Sequence, residues 1–230
     1  MKKFSLYFIF FIVLYGGNMI AETININFSK NKWQSAEWQE VRNPRFNYPG
    51  VMIQKDDHIV NKTPDVSAEE VFKKHCVDVF ASMVMKRKFE SDIVTISSEM
   101  SFDYNMAPLI VIAENLGKNA EGIPEYREHY EIVLFNEGIN IWRYSYTDGK
   151  LSWELAAFVK HEFLPQKRYE LKVNIKDFNK SRLMTVECDG IEFGLQDKGL
   201  PKSFYAGITG CEGRNRFYNF KVNLEQKNKK

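Results

Sequence analysis

Cysteine is scarce in this chain: Cys76, Cys188 and Cys211 are the three present, an odd number. Three thiols cannot build a disulfide framework, so at least one stays free or pairs between molecules. None stands in a Cys-x-x-Cys or His/Cys spacing that would suggest zinc. Cys188 and Cys211 would meet if their strands neighbour, and each is equally suited to a buried thiol acting as a small apolar residue. Net charge is lacking too. The formal +2 falls to zero once Lys2 and Lys3 leave with residues 1–21, so nucleic acid is not an expected partner. Low-complexity stretches and internal repeats are absent, and helical periodicity is rare.

The one long apolar run, residues 4–15, falls well short of the roughly 20 residues that span a bilayer, and it breaks at Gly16 and Gly17. With Lys2 and Lys3 before it and a small residue at Ala21, it has the pattern of a secretory signal peptide cut after residue 21. No cysteine sits near the cut, so a lipid anchor is not expected. The mature product, residues 22–230, is expected to be soluble, secreted or periplasmic, without stable membrane insertion. That length suits a single all-β domain. Lys227, Lys229 and Lys230 read as a solvated tail.

Aromatic residues make up 14% of the chain, enough for a large core with some left for a binding surface. Residues 33–50 hold tryptophans and prolines without periodicity, an irregular opening. Ser67, with Glu70 three residues on, predicts a capped short helix over residues 67–75. Beyond Ser82 the chain alternates with period two. Val94, Ile96, Met100 and Phe102 share one face, and Thr95, Ser97, Glu99, Ser101 and Asp103 the other. Residues 109–113 are apolar on both faces, as in a central strand covered on both sides.

Residues 128–135 place Tyr130, Ile132 and Leu134 inward, with His129 and Glu131 outward. After a tight turn at 136–138, residues 139–146 place Ile139 and Ile141 inward, and Asn140, Trp142, Tyr144 and Tyr146 outward. The two runs predict a hairpin. Asp148-Gly149 predicts a further turn before residues 151–159. Asp189-Gly190 is a strong type I′ signal, because both residues tolerate positive φ. Residues 203–222 close the chain with a Gly-punctuated apolar strand, a turn and an aromatic strand. Regular short strands with so few helical patterns predict a two-sheet antiparallel jelly-roll sandwich.

The order YEIVLF, turn, INIW, RYELKVNI, a strand with a DG turn, and the closing FYAGITG…RFYNFKV is similar to bacterial concanavalin A-like (LamG-like) domains of the lectin and glucanase type. It covers roughly residues 93–222. The resemblance implies a glycan partner held on the concave face of a curved sheet. On the hairpin, Trp142 and Tyr144 would form a platform for sugar C–H faces, and Asn140, His129 and Glu131 would supply polar contacts. A binder and a carbohydrate-active enzyme both remain open, because fold alone does not choose.

For an enzyme, His129 and Glu131 lie about 7 Å apart on one strand face, and Glu99 is a further carboxylate to pair with Glu131. The Glu-x-Asp-x-x-Glu strand motif of sandwich glycosidases is missing. A lyase would draw on His129, Tyr144, Arg143 and Asn140, but the Gln-x-His motif of alginate-lyase-like enzymes is missing too. Alternation turns Arg127 and Arg143 away from this face, toward surface salt bridges. His58, His75 and His161 stand isolated. A structural calcium ion is common in this architecture, with Asp56, Asp57 and Asp103 as the acidic loop candidates; no other cofactor is expected, and no EF-hand pattern is present.

Overall fold

The computed structural model describes residues 20–46, 50–76, 78–105 and 107–226. The expected signal segment up to Met19 and the basic tail at Lys227, Lys229 and Lys230 lie outside the described residues. Among those described, no helix is long and apolar enough to cross a membrane.

Two large antiparallel sheets pack as a sandwich, with one α-helix among the described residues, which is the jelly-roll class that the alternation predicts. The front sheet runs, from its outer edge, Lys150–Lys160, Gly138–Thr147, His129–Phe135, Pro108–Ala113, Ser203–Gly210, Ala81–Met85 and Trp38–Glu40. The back sheet centres on Ile93–Phe102, flanked on one side by Tyr169–Phe178, Ser181–Cys188 and Ile191–Asp197. On the other side Ile93–Phe102 pairs with Asn215–Phe217 and Asn219–Gln226, and the latter pairs with Ile20–Asn27.

The inward residues of both sheets make the main core. Val94, Ile96, Met100 and Phe102 meet Ile110, Ile112, Ile132, Leu134, Ile139 and Ile141, all fully buried. Period-two patterning creates this core because one parity of each strand finds apolar partners across the gap and the other does not. The closing segment is divided between the sheets. Ser203–Gly210 lies inside the front sheet, and the strands after it belong to the back sheet, so the end of the chain ties the two together. Gly207 permits this: a Cβ there would lie 2.1 Å from the Met83 carbonyl oxygen on the neighbouring strand.

The helix is Ala68–His75, and the Ser67 hydroxyl accepts a hydrogen bond from the Glu70 N–H at 3.1 Å. Glu70 does not reach back to complete the capping box; its carboxylate accepts from Lys74 at 2.8 Å instead. Ser67→Ala is expected to cost about 1 kcal/mol, read as a lower urea midpoint at unchanged m-value. Both Asp-Gly turns have positive φ at both residues, as type I′ geometry requires: 52° and 74° at Asp148-Gly149, 51° and 82° at Asp189-Gly190.

Candidate functional site

The hairpin His129–Phe135 and Gly138–Thr147 forms as its alternation predicts. His129 lies opposite Tyr144, Glu131 opposite Trp142, and Val133 opposite Asn140. Tyr130, Ile132, Leu134, Ile139 and Ile141 enter the inter-sheet core, so His129, Glu131, Asn140, Trp142 and Tyr144 share the outer face of the front sheet. The structure therefore brings together five of the six residues expected at the site. The His129 and Tyr144 rings stack with centroids 4.2 Å apart and planes 6° from parallel.

The deep end of this face is not an open platform. His129 and Tyr144 are each 1% exposed and Glu131 is 4% exposed. Residues 41–46 lie over them. Val41 N–H donates to the Ser82 carbonyl, Arg42 N–H donates to the Pro124 carbonyl, and Phe46 stacks on Phe80 at 4.3 Å. The reason is the composition of the sheet beneath. Val84, Leu109, Val111 and Val133 make its outer face apolar, and the aperiodic opening segment supplies Val41 and Phe46 to a second buried cluster there. This is the covering on both sides that the doubly apolar run at 109–113 implies.

The cover is joined to the hairpin by a polar network. Asn43 Nδ2 donates to Glu131 Oε1 at 2.6 Å, and Asn43 Oδ1 accepts from the Arg45 N–H at 2.9 Å. The Arg45 guanidinium lies 5.9 Å from the Tyr144 ring centroid and 3.9 Å from Glu212 Oε1. His129 Nδ1 is 2.6 Å from the Arg127 carbonyl oxygen; that oxygen can only accept, so Nδ1 carries the hydrogen. His129 Nε2 lies 3.8 Å from Glu131 Oε1, and among the described residues neither it nor the Tyr144 hydroxyl has a hydrogen-bond partner.

The two carboxyls around Arg45 are pushed in opposite directions. Burial works to raise Glu131, but the His129 imidazole and the Arg45 guanidinium outweigh it and hold Glu131 below the usual carboxylate range. Glu212 is raised, by burial first and by the charge of Glu131, with Arg45 opposing. Glu212 also sits at a left-handed φ of 57°, an uncommon conformation for a non-glycine residue. Burial and the neighbouring Glu131 charge push the Tyr144 hydroxyl up. Asn43, Arg45 and Glu212 carried no sequence signal, since each reaches the site only through the fold.

Toward solvent the same face ends in an aromatic rim. On the edge strand Lys150–Lys160, Trp153 stands opposite Tyr144, Leu155 opposite Trp142, and Phe158 opposite Asn140. Register shifts between Ile141 and Trp142, leaving Ala156 without an opposing residue. That bulge re-phases the strand, so Trp153 and Phe158, an odd number of residues apart, emerge on one face. Trp153 is 52% exposed, and Leu155 and Phe158 are 48% exposed. Sequence reading found the strand but not this rim, because simple alternation cannot place both rings together.

Glu99 is not brought to the site. It lies on the outer face of the back sheet, where Asn219 Nδ2 donates to it at 3.3 Å and Arg168 stands 3.9 Å away. Both sheets and the core between them separate it from Glu131, and packed sheets are about 10 Å apart, so the two do not form a carboxylate pair. Arg143 pairs with Asp197 at 3.4 Å, on the side its parity predicts. Arg127 pairs with Glu125 at 3.0 Å but is not turned away: it shares the odd parity of His129 and Glu131, and its guanidinium lies 5.4 Å from the ring centroid of the outward Tyr146. Asp103 is held by Arg214 and Arg216, and Asp57 by Arg168 at 2.6 Å. Among the described residues no group of three or more His, Cys, Asp or Glu could hold a metal ion. All three cysteines are free; Cys188 lies in the back sheet, and Cys211 follows a front-sheet strand.

The architecture is that of the concanavalin A-like jelly rolls. Among solved structures, the chain is similar to the carbohydrate binding module CBM66 from Bacillus subtilis, at 11% identity and TM-score 0.51, over 80% of this chain and 94% of that one. It is similar to winged bean acidic lectin complexed with methyl-α-D-galactose, at 8% identity and TM-score 0.54, over 90% and 100%. It is also similar to β-agarase A from Zobellia galactanivorans, at 9% identity and TM-score 0.57, over 91% and 94%. At such identities the likeness establishes the fold alone. No family model and no curated protein matches the sequence.

Proposed function

We propose that this chain is a secreted or periplasmic protein that binds a polysaccharide or oligosaccharide on the outer face of its front sheet. One observation carries the reading. Trp142 and the exposed Trp153 lie on one face of two adjacent strands, beside the part-exposed amide of Asn140. Sugars are recognised by such surfaces, since an aromatic ring takes the C–H face and an amide the hydroxyls. That a carbohydrate binding module, a lectin and an agarase share the fold supports the same reading. Native electrophoresis through gels holding neutral and acidic polysaccharides is the test: at least one polymer is expected to retard the protein. A blank panel, with a protein partner co-purifying, would sink the proposal.

A second reading, a glycoside hydrolase or polysaccharide lyase using the same face, is favoured by the buried cluster. Two carboxyls with opposed proton affinity share one arginine, and an imidazole nitrogen beside them has no hydrogen-bond partner among the described residues. Split carboxyls of this kind are how sites assign an acid and a base. Incubation with the same polymers, followed by assay of reducing ends and of ultraviolet-absorbing unsaturated products, separates the readings. The binding proposal expects retention without product.

A further inference from the structure

Resting on the carbohydrate reading, we propose that the ligand is the interior of a neutral, extended glycan chain, lying along the edge strand Lys150–Lys160 with Trp153 and Phe158 as its two supports. The bulge at Ala156 is what makes this arrangement. It brings Trp153, Leu155 and Phe158 to one face in line, with both rings about half exposed. Five residue steps along the strand separate the rings, a span of roughly 15 Å, which is a track for several consecutive sugar rings rather than a seat for one.

The form of the surface points the same way. Recognition of a chain end needs a pocket closed on one side, but the deep end of this face is filled by residues 41–46, and His129 and Glu131 beneath them are buried. What is left to solvent is an open strip on the outermost strand. Its outward side chains between the two rings carry no charge, and neither do Asn140 and Trp142 behind them. The two arginines nearby have their own partners: Arg127 pairs with Glu125, and Arg143 with Asp197. Between the two rings an acidic chain would find no counter-ion, since the strand's own cations, Lys150 and Lys160, lie at its ends beyond Trp153 and Phe158, whereas the hydroxyls of a neutral chain find the amide of Asn140.

A second copy of this chain is the competing occupant, since an open edge strand invites pairing. The edge carries the devices that prevent it, with a lysine at each end, Lys150 and Lys160, and a bulge between them that interrupts the ladder.

The experiment uses the whole mature protein with agarose, xylan and mixed-linkage β-glucan as neutral probes, and alginate and polygalacturonate as acidic ones. Calorimetry then follows an oligosaccharide ladder cut from whichever polymer retards it. Affinity for a neutral ladder is expected to rise at least about tenfold from monosaccharide to the longest member, and Trp153→Ala and Phe158→Ala each to lose about fivefold or more on the long members only. Retention by acidic polymers alone, affinity independent of length, or both variants within about twofold of wild type would overturn the inference and leave the carbohydrate reading standing. A dimer in sedimentation that Trp153→Ala dissolves would overturn it in favour of self-association. Absence of retention by every polymer would remove the carbohydrate reading and this inference together.

Discussion

Asn43→Ala is expected to lower the unfolding free energy by about 2–3 kcal/mol, a large effect for one surface-segment residue. Asn43 is fully buried, and its amide makes a 2.6 Å hydrogen bond to a carboxylate that is itself 4% exposed. Removing the donor leaves a buried charge short of a partner, and it also releases the Arg45 backbone N–H that Asn43 Oδ1 accepts. The loss should depend on pH. Glu131 is held below its unfolded value, so its contribution is present above the usual carboxylate pKa and disappears as pH falls through the lower folded value. Glu212 has the opposite sign, because a raised carboxyl favours the folded state below the usual pKa and loses that advantage as pH rises through the folded one. Without Asn43, Glu131 takes up its proton at higher pH, so the gap between wild type and variant should narrow on acidification. Urea titrations across the acid range measure this, and a pH-independent gap would show that Glu131 is not the group involved. In a Glu131→Gln background the cost of Asn43→Ala should shrink, which a double-mutant cycle reads directly.

Trp142→Ala is expected to weaken glycan retention by about 2 kcal/mol, roughly thirtyfold, as loss of a central aromatic anchor does. Trp142 stands between the buried Glu131 and the exposed Leu155, and its ring packs in part against the second apolar cluster. Some stability is lost with it, on the order of 1 kcal/mol, from the apolar area returned to water. Affinity electrophoresis and thermal unfolding on the same sample separate the two effects. Retention that stays at the wild-type level would show that the sugar lies elsewhere.

Much of the site was legible before the fold. The parities of the hairpin placed His129, Glu131, Asn140, Trp142 and Tyr144 on one face, because strand alternation is a local property of the backbone. The Asp-Gly turns and the Ser67 cap were equally local. The cover over the deep end was not readable, since Asn43 and Glu131 are 88 residues apart in sequence. Glu99 shows the same limit from the other direction. Its strand face was read correctly as polar, but that face belongs to the opposite side of the sandwich.

From the sequence alone came the β-sandwich class, the strand pairs closed by short turns, and the side of each strand that faces the core. All of these follow from side-chain period and turn chemistry over a few residues. Tertiary structure alone decided which polar face lies beside which, that residues 41–46 bury the His129–Glu131 pair, and that a bulge at Ala156 aligns Trp153 with Phe158. Those outcomes rest on contacts between distant segments and on a one-residue slip in register, and neither leaves a periodic trace in the chain.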